Sequence, residues 1–338
     1  MSVVQVARLT KSYGRRPPAL TEVTLEIQEG VTGLLGPNGA GKSTLLQCVL
    51  GLLRDFTGDA TVLGLDARRD RLEIRRRVGY MPESDSLLPK MSGVTSVRYL
   101  GQLTGMARRH ALRRAHECLH YVGLTEALYR PGEEYSTGMR QRLKLAQALV
   151  HDPELLFLDE PVSGMDPAGR DDFLALIRSL AKDHHKHVVW SSHMLPDVQK
   201  VADGVLVLDK GRLLGSFRLE DLAGASGRWR VEAEGDETEF DRVLASHGLR
   251  AVAGAPAPEG ASVGGDGVPR FERALLRAGA DAPGAILTAA REAHVRVRAL
   301  TPVVEQLEDV FHRLLGEARH GSSGSGVDAL AGPAGGAR

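Results

Sequence analysis

The chain has few aromatic residues and only two cysteines. Phe, Trp and Tyr make up 4% of its 338 residues, so we expect a core built mainly from aliphatic side chains. Cys48 and Cys118 lie far apart, each in a stretch with a helical pattern. This sparse usage argues against a disulfide framework and predicts buried thiols in a reducing compartment.

The chain also lacks a long apolar run, a signal-peptide pattern and a net charge. No segment approaches the roughly 18 apolar residues that a membrane-spanning helix needs, and the N-terminus has no basic-then-apolar layout. The 43 Lys and Arg residues balance the 43 Asp and Glu residues, so no net field favours nucleic acid as the main partner. We therefore expect a soluble cytoplasmic protein that reaches a membrane only through another protein.

What is present, above all, is a phosphate-binding loop that fits G-x-x-x-x-G-K-[ST] at every fixed position. The residues expected to contact a nucleotide there are Gly36, Pro37, Asn38, Gly39, Ala40, Gly41, Lys42, Ser43 and Thr44. Glycines let backbone N–H groups turn toward an anion, Lys42 adds positive charge, and the Ser43 hydroxyl can ligate Mg²⁺. An apolar strand precedes the loop and a helix follows it, which disfavours a glycine-rich turn with a chance lysine.

A second element is the apolar strand at residues 155–158, which ends in two carboxylates. Asp159 is placed to hold Mg²⁺ through water, and Glu160 can polarise an attacking water as a general base. The alternative is a pair of acids that merely cap a strand end. Next to a phosphate loop, the catalytic interpretation is preferred.

A third element is the segment Tyr-Ser-Thr-Gly-Met-Arg-Gln-Arg at residues 135–142, which precedes a helical stretch. Ser136 suits an N-cap and Gly138 falls in the first turn, so this is a second helix N-terminus able to bind phosphate. On physical grounds alone, an ordinary capped helix is the simpler explanation. The segment nevertheless resembles the signature motif of ATP-binding cassette (ABC) ATPases, whose usual form is Leu-Ser-Gly-Gly-Gln.

The order of motifs over residues 1 to about 220 is similar to that family too. The resemblance implies an adenine-stacking role for Tyr13, a Q-loop at Glu83, a D-loop at residues 163–166 and a switch histidine at His193. It implies ATP and Mg²⁺ as ligands. By this resemblance the metal residues are Ser43, Glu83 and Asp159, and the catalytic residues are Lys42, Glu160 and His193.

The family's geometry further implies a head-to-tail pair of cassettes, expected to be a homodimer. In that arrangement Ser136 and Gly138 of one copy face the γ-phosphate held by residues 36–44 of the other. Each half-site is then incomplete alone, and hydrolysis requires the dimer. This gives a physical reason for two anion-binding helix starts in one chain.

Three positions depart from the family pattern. Glu83 stands where the family normally has glutamine; we hypothesise that its carboxylate still senses Mg²⁺ but slows or re-times hydrolysis, since an ionised carboxylate cannot donate a hydrogen bond. Thr137 and Met139 replace the usual glycine and glutamine of the signature, while Ser136 and Gly138 are retained. We therefore expect an active signature.

Simpler interpretations stay open for several side chains outside the loop. Tyr13 could be a surface strand aromatic, and a histidine that ends a strand, such as His193, is more often a structural hydrogen-bonding group. The nearby His184, His185 and His187 more simply form a solvated helix end than a metal site.

Continuous apolar runs that alternate with helices predict an α/β fold with a parallel sheet. The resemblance implies a P-loop NTPase cassette at residues 1–222, with a RecA-like core, an antiparallel β-subdomain and a helical subdomain at about 84–153. Composition changes after about Gly224, which predicts a small α+β accessory domain at 223–316, with a loose loop at 254–267, and a disordered tail at 317–338.

The resemblance implies the ATPase subunit of an ABC transporter, bound to a separate transmembrane permease on the cytoplasmic face of the cell membrane. Residues 136–142 and 307–311 resemble the ABC-2 type export branch, which favours export over uptake. The alternative is a non-transport ABC ATPase that acts on ribosomes or DNA, although a single cassette without a heptad array disfavours it. A degenerate regulatory module is disfavoured because Lys42, Asp159, Glu160 and His193 are all present.

Overall fold

The computed structural model of the chain describes residues 2–14, 16–84, 87–88, 90–224, 228–251, 270–276, 282–302 and 307–320. The chain divides into two compact units. The first unit consists of the chain up to Phe217 together with the chain from Phe311 onward, and the second unit is Arg218–Val310. The predicted domain bounds at 222 and 316 stay predictions. Among the described helices, none combines the length and the apolar character that crossing a bilayer requires.

The strands and helices of the first part of the chain alternate along the sequence. In chain order they are β1 (Ser2–Lys11), β2 (Leu20–Gln28), β3 (Val31–Leu35), α1 (Lys42–Val49), β4 (Thr57–Val62), β5 (Leu65–Asp66), α2 (Arg71–Arg77), β6 (Val78–Met81), α3 (Gly93–Leu103), α4 (Arg108–Tyr121), α5 (Thr137–Leu149), β7 (Leu155–Asp159), α6 (Pro167–Lys182), β8 (His187–Ser192), α7 (Leu195–Val201), β9 (Gly204–Asp209) and β10 (Arg212–Arg218).

An antiparallel sheet has the strand order β2-β1-β4-β5. In β2 the buried side chains Val23, Leu25 and Ile27 alternate with exposed ones, as expected for a strand with one face on the core. This sheet confirms the predicted antiparallel β-subdomain. Its apolar face shares one core with α1, which lies directly behind the phosphate loop.

A six-stranded sheet has the order β10-β9-β3-β8-β7-β6 and forms the centre of the first unit. Strands β3, β8 and β7 are neighbours and run parallel. Every residue of β3 and β7 is buried, as expected for strands covered on both faces. The carboxyl ends of these three strands meet at one edge, so the segments that follow them come together.

The helical subdomain consists mainly of α3, α4 and α5, joined by two short 3₁₀ turns at Thr125–Ala127 and Gly132–Glu134. All three α-helices pack against one another. Ser92 caps α3 through its side chain, and Ser136 caps α5 in the same way. The helical subdomain expected at about 84–153 is therefore present.

The second unit contains a four-stranded antiparallel sheet of order β12-β13-β11-β14. After β10 the chain continues with α8 (Leu219–Gly224), β11 (Arg228–Glu234), α9 (Glu237–Ser246), β12 (Arg250–Ala251), β13 (Arg270–Leu276), α10 (Ala282–Glu292), β14 (Arg296–Pro302) and α11 (Leu307–His320), of which α11 belongs to the first unit from Phe311 onward. Side chains of β11, α9 and α10 form a separate aliphatic core around Phe240 and Ile286. The unit is thus α+β.

Helix α11 ends at His320, four residues beyond the predicted domain bound at 316. The disordered tail expected at 317–338 stays a prediction. The loop predicted at 254–267 and the tail from 321 lie outside the described residues.

Candidate active site

Three segments that are distant in sequence meet at the carboxyl edge of the central sheet. Leu35, the last residue of β3, lies beside Ser192 of β8, and Asp159 of β7 lies beside Ser191. The phosphate loop follows β3, Glu160 follows β7, and His193 follows β8. The sheet order therefore places every predicted catalytic residue at one edge.

The glycines of the loop are required by their immediate surroundings. A Cβ on Gly36 would overlap the carbonyl oxygen of Leu208. Gly41, which precedes α1, has a φ of +103°, and a Cβ there would lie 2.7 Å from the carbonyl oxygen of Ala19. Only glycine combines this backbone conformation with so close an approach.

Two neighbouring segments, which no sequence motif marks, support the loop through backbone hydrogen bonds. The N–H of Gly211 donates to the carbonyl of Ala40 at 2.9 Å, and the N–H of Thr21 donates to the carbonyl of Gly211 at 2.8 Å. Gly211 lies in the β9–β10 turn, and Ala19 and Thr21 lie at the start of β2. No local motif marks these supporting positions, because they come from strands far away in sequence.

Lys42 is buried, and its ammonium group lies in the loop. The Nζ donates to the carbonyl of Gly36 at 2.7 Å and to that of Pro37 at 3.4 Å, and it lies 3.3 Å from Oε1 of Glu160. All three partners are oxygens that phosphate oxygens could replace. The cation is therefore positioned to bind an anion that enters the loop.

Ser191 hydrogen-bonds both acidic residues at the end of β7, through the carboxylate of Asp159 and the backbone N–H of Glu160. The Ser191 hydroxyl donates to Oδ1 of Asp159 at 2.5 Å and accepts from the N–H of Glu160 at 2.9 Å. Glu160 has a φ of +48°, an uncommon conformation for a non-glycine residue. Sequence reasoning missed Ser191; the available signal was a hydroxyl at the end of the strand beside β7.

Glu160 bridges the lysine and the histidine. Its Oε2 lies 2.9 Å from Nδ1 of His193, while Oε1 faces Lys42. The Glu160 side chain is 8% exposed and that of His193 is 48% exposed. A nearly buried carboxylate held between two nitrogen groups, one of which is open to solvent, is suited to accept a proton from a water molecule.

A cleft of about 410 Å³ opens in front of the loop. The residues that line it are Ala19, Asn38, Gly39, Ala40, Gly41, Lys42, Ser43, Thr44, Glu83 and Glu160. Glu83 therefore reaches the same cleft as the phosphate loop. Its carbonyl oxygen accepts from Nζ of the buried Lys144 at 3.0 Å, so a side chain of α5 helps to hold the segment that carries Glu83.

The oxygen groups at this cleft fit a magnesium ion that also binds phosphate. Ser43 and Glu83 both line the cleft, while Asp159 is buried and is not among the lining residues. Burial raises the pKa of Tyr80 to about 12, the charges of Asp159 and Glu83 add to this increase, and a hydrogen bond with Gln47 opposes it. Among the described residues, no three His, Cys, Asp or Glu side chains could hold a metal by themselves. Hard oxygen ligands with places left for phosphate and water are typical of Mg²⁺ sites.

The start of α5 lies outside this cleft. Ser136 accepts a hydrogen bond from the N–H of Met139 at 3.3 Å, and Ser136 and Thr137 are exposed. A Cβ on Gly138 would meet its nearest atom, the Cε of Met165, at 3.5 Å, an ordinary contact. The predicted D-loop packs beside this helix start, since Nε2 of Gln141 donates to the carbonyl of Ser163 at 3.2 Å.

Tyr13 and the three clustered histidines also lie outside the lining. Tyr13 is 43% exposed and follows β1. His187 accepts at Nδ1 from the N–H of Gly30 at 3.2 Å, and the ring of His184 packs edge-on against Tyr121. His184 and His187 therefore make ordinary structural contacts.

Comparison with known proteins gives one consistent family. A family model described as ABC transporter matches residues 20–163. The uncharacterized ABC transporter ATP-binding protein YdbJ of Bacillus subtilis (strain 168) is 30% identical over 311 residues, which cover 91% of this chain and 94% of YdbJ. The daunorubicin resistance ATP-binding protein DrrA3 of Streptomyces coeruleorubidus is 34% identical over 232 residues, or 68% of this chain and 73% of DrrA3.

A solved structure gives the same fold. The ATP-binding cassette MJ0796, in a dimeric post-hydrolysis state bound to ADP and Pi, matches with a TM-score of 0.59 at 23% identity. The match covers 64% of this chain and 98% of that cassette. It confirms the predicted P-loop NTPase cassette fold.

Proposed function

The chain belongs to the ATP-binding proteins of ABC transporters, and from this premise we propose that it powers export through a separate ABC-2 type permease. Family membership makes it the subunit that binds and hydrolyses ATP. The direction of transport, the permease type, the pairing of two cassettes and the role of each side chain are our proposals.

The observation that supports ATP hydrolysis by these side chains is the chain of contacts from Lys42 through Glu160 to His193, of which Lys42 and Glu160 line the cleft. A cation for the phosphates, a carboxylate for water and an imidazole that holds the carboxylate are the groups that phosphoryl transfer to water needs. A chain that only bound nucleotide would need the cation alone.

The chemistry assigned to these side chains follows from their contacts. Lys42 exchanges its carbonyl and carboxylate partners for phosphate oxygens and stabilises the charge on the transferring phosphoryl group. Glu160 then accepts a proton from the attacking water. His193 keeps the Glu160 carboxylate oriented through the 2.9 Å contact and hydrogen-bonds the γ-phosphate from its exposed side.

The same cleft supports a magnesium site. We assign Ser43 as a direct ligand and Glu83 and Asp159 as the carboxylates that hold the ion, directly or through water. When bound, the ion neutralises developing charge on the phosphates. If Glu83 acts on the metal, Glu83→Gln should change the Mg²⁺ concentration needed for half-maximal nucleotide binding. An unchanged Mg²⁺ dependence of both binding and hydrolysis would remove Glu83 from the site.

The exposed start of α5 supports a composite site between two copies. Ser136 and Gly138 line no part of the cleft of their own copy, yet they form a capped helix N-terminus suited to phosphate. We propose that they complete the site of a second copy and that ATP binding closes this pair. Closure would then change the conformation of the attached permease.

Export is supported by relatives rather than by the site. DrrA3 is named as a drug resistance protein, and resistance through an ATP-binding protein is consistent with outward transport. The chain would then lie on the cytoplasmic face of the membrane, attached through its permease. The relatives give no support to a ribosome- or DNA-directed role.

The direct test of the catalytic assignment is Glu160→Gln in the full chain. We expect turnover to fall by about 10²–10⁴-fold, the usual contribution of a general base, while ATP binding is retained and a dimer accumulates. The matched control is Glu26→Gln, which makes the same change on an exposed face of β2 and should leave turnover unchanged. Full turnover in Glu160→Gln would refute the assignment.

The test of the transport role starts from the same variant. Affinity capture of the tagged Glu160→Gln chain from detergent-solubilised membranes should recover a protein with several membrane spans. Reconstituted with that protein in vesicles, the wild-type chain and ATP on one side should move substrate away from that side. Recovery of ribosomes or DNA instead, or ATP-driven movement toward the chain's side, would contradict the proposal.

A further inference from the structure

A buried lysine lies against the ring of Tyr13. Lys11, the last residue of β1, is 2% exposed, and its Nζ lies 4.8 Å from the centroid of the Tyr13 ring. Lysine is rarely buried to this extent unless it is paired. The burial therefore calls for partners that offset the loss of water around the ammonium group.

One partner is Asp55, on the loop that follows α1. Nζ of Lys11 lies 2.6 Å from Oδ2 of Asp55 and donates to the carbonyl of Asp55 at 3.1 Å. The hydrogen bond from Lys11 to the Asp55 carboxylate, followed by a hydrogen bond with the Asp55 backbone, holds the pKa of this carboxyl below its ordinary value. The Asp55 side chain is itself 80% exposed, so an ion pair with it did not require a buried lysine. What burial achieves is a fixed position of the cation against the Tyr13 ring.

The backbone of Lys11 connects the same loop to the nucleotide cleft. The carbonyl of Lys11 accepts from the N–H of Ala19 at 2.8 Å, and Ala19 lines the cleft. This bond closes the base of the loop that carries Tyr13. The backbone two residues before Tyr13 is thus bonded to the cleft wall, and the Tyr13 ring lies against the buried cation, while 43% of the residue remains exposed.

We propose that Lys11 is a positioning residue for base recognition: it fixes the Tyr13 ring beside the cleft so that the ring can stack on the base of the bound nucleotide. The inference rests on the proposed function, since it takes ATP as the ligand, and on the adenine-stacking role that the family resemblance implies for Tyr13. A ring fixed in advance loses less rotational freedom on binding. The ammonium group on one face also draws electron density from the other, which favours stacking on an electron-rich purine.

The experiment compares two probes in the full chain, ATP and inorganic tripolyphosphate, which has the phosphates but no base. Lys11→Met removes the charge and keeps most of the apolar stem. We expect it to weaken ATP binding by about three- to tenfold, the range of a partly desolvated cation–π contact, and to leave tripolyphosphate binding unchanged. Lys11→Arg should restore ATP binding, because a guanidinium group can occupy the same face of the ring.

Two further variants separate the ring from the ion pair. Asp55→Asn removes the carboxylate but leaves the ammonium group on the ring, so ATP affinity should stay within about twofold of the wild type. Tyr13→Leu should lose ATP affinity at least as far as Lys11→Met does. The double variant Lys11→Met/Tyr13→Leu should bind ATP as Tyr13→Leu does, because the lysine acts only through the ring.

Several outcomes would overturn the inference. These are unchanged ATP binding in Lys11→Met, equal weakening of ATP and tripolyphosphate, or additive losses in the double variant. If Lys11→Met melts early without ligand, Lys11→Gln, which can still hydrogen-bond Asp55, takes its place with the same expectations. Wild-type ATP affinity in Tyr13→Leu would also refute the inference, yet it would leave the proposed hydrolysis untouched, since Glu160→Gln tests that separately.

Discussion

Two helix N-termini in this chain have the features of phosphate sites, and they differ in how far their own copy encloses them. Helix α1 begins directly after Gly41, which has a left-handed backbone and no side chain to cap the helix. The first turn of α1 lines the cleft. Helix α5 begins behind Ser136, which caps it from an exposed position. The N–H groups at the start of α1 are therefore available to a bound anion, whereas the start of α5 is already stabilised by its own serine cap.

The glycines at the two helix starts show the same contrast. A side chain at Gly36 or Gly41 would collide with backbone atoms of the same chain. A methyl group at Gly138 would meet only ordinary contact. The contacts of Gly138 within its own copy therefore do not require a glycine. We expect the requirement to come from contacts with a second copy. The following predictions test this contrast, beginning with the largest expected effect.

Mixing two inactive variants tests whether the helix starts belong to one shared site. Lys42→Ala and Gly138→Glu should each lower turnover by about 10²-fold or more, because each removes or opposes charge stabilisation at the phosphates. In a mixed dimer, one site combines both defects and the other has none. An equal mixture should therefore recover about a quarter of wild-type turnover if the two sites act independently. Steady-state phosphate release measures it, and a mixture no more active than its components would contradict a composite site.

Placing alanine at one glycine in each helix start tests enclosure directly. Gly41→Ala forces a strained backbone and a clash with Ala19, so nucleotide affinity should fall by about ten- to a hundredfold, the equivalent of 1–3 kcal/mol of strain. Gly138→Ala should leave the nucleotide affinity of the chain unchanged and raise its melting temperature, since alanine favours a helix by about 0.5–1 kcal/mol. Its hydrolysis should nevertheless fall. Equilibrium nucleotide binding and thermal melting are the two measurements. A loss of nucleotide affinity in Gly138→Ala, together with unchanged affinity in Gly41→Ala, would contradict the comparison.

The cap of α5 can be separated from its proposed contact with phosphate. Ser136→Ala should lower the free energy of unfolding by about 0.5–1 kcal/mol, because it removes the hydrogen bond to the N–H of Met139. Ser136→Asn should regain that stability, since asparagine is an equally good cap. If the serine hydroxyl itself contacts phosphate, hydrolysis should stay reduced in both variants. Denaturation in urea and turnover are the two measurements; full turnover in Ser136→Asn would reduce Ser136 to a cap.

An ion pair that takes no part in either helix start provides a baseline for the size of these effects. Arg77 and Glu154 form a two-point pair at 2.7 and 2.8 Å, and the hydrogen bond from Arg77 holds the pKa of Glu154 below its ordinary value. The pair is partly exposed, so Glu154→Gln should cost less than about 1 kcal/mol near neutral pH. A carboxyl group whose pKa is lower in the folded chain stabilises the fold at pH values above its unfolded-state pKa. This stabilisation is lost as the pH falls through the folded-state pKa.

The difference between Glu154→Gln and the wild type should therefore shrink as the pH is lowered from about 6 to about 3. Urea denaturation at several pH values measures it, and nucleotide binding should not change. A difference that grew on acidification would show that the Glu154 pKa is not lowered by Arg77.

Local motifs made much of the active site predictable. The run around Lys42 and the pair Asp159–Glu160 each combine a strand end with residues of one chemistry, and such a pattern is complete within about ten positions. The alternation in β2 and the full burial of β3 likewise follow from side-chain order alone. The helix boundary was less predictable: a helix was expected to follow the loop, whereas α1 starts at Lys42, within the loop motif.

The residues that support the site could not be predicted in this way. Ser191 holds the Asp159 carboxylate and the Glu160 backbone, Gly211 holds the loop, and Lys144 holds the segment of Glu83, each across more than thirty positions of sequence. A serine, a glycine or a lysine is common on any strand, turn or helix. Its role appears only when the sheet order brings its element beside the site.

By itself, then, the sequence determined the chemistry of this protein: a phosphate loop, two carboxylates, a histidine after a strand and a second capped helix start, because each is a short run whose backbone geometry is local. Only the tertiary structure decided which of these face one another. The parallel order of β3, β8 and β7 joins Lys42, Glu160 and His193, while the exposed start of α5 leaves Ser136 and Gly138 outside. Convergence of strand ends depends on pairing between distant segments, and no local pattern encodes it.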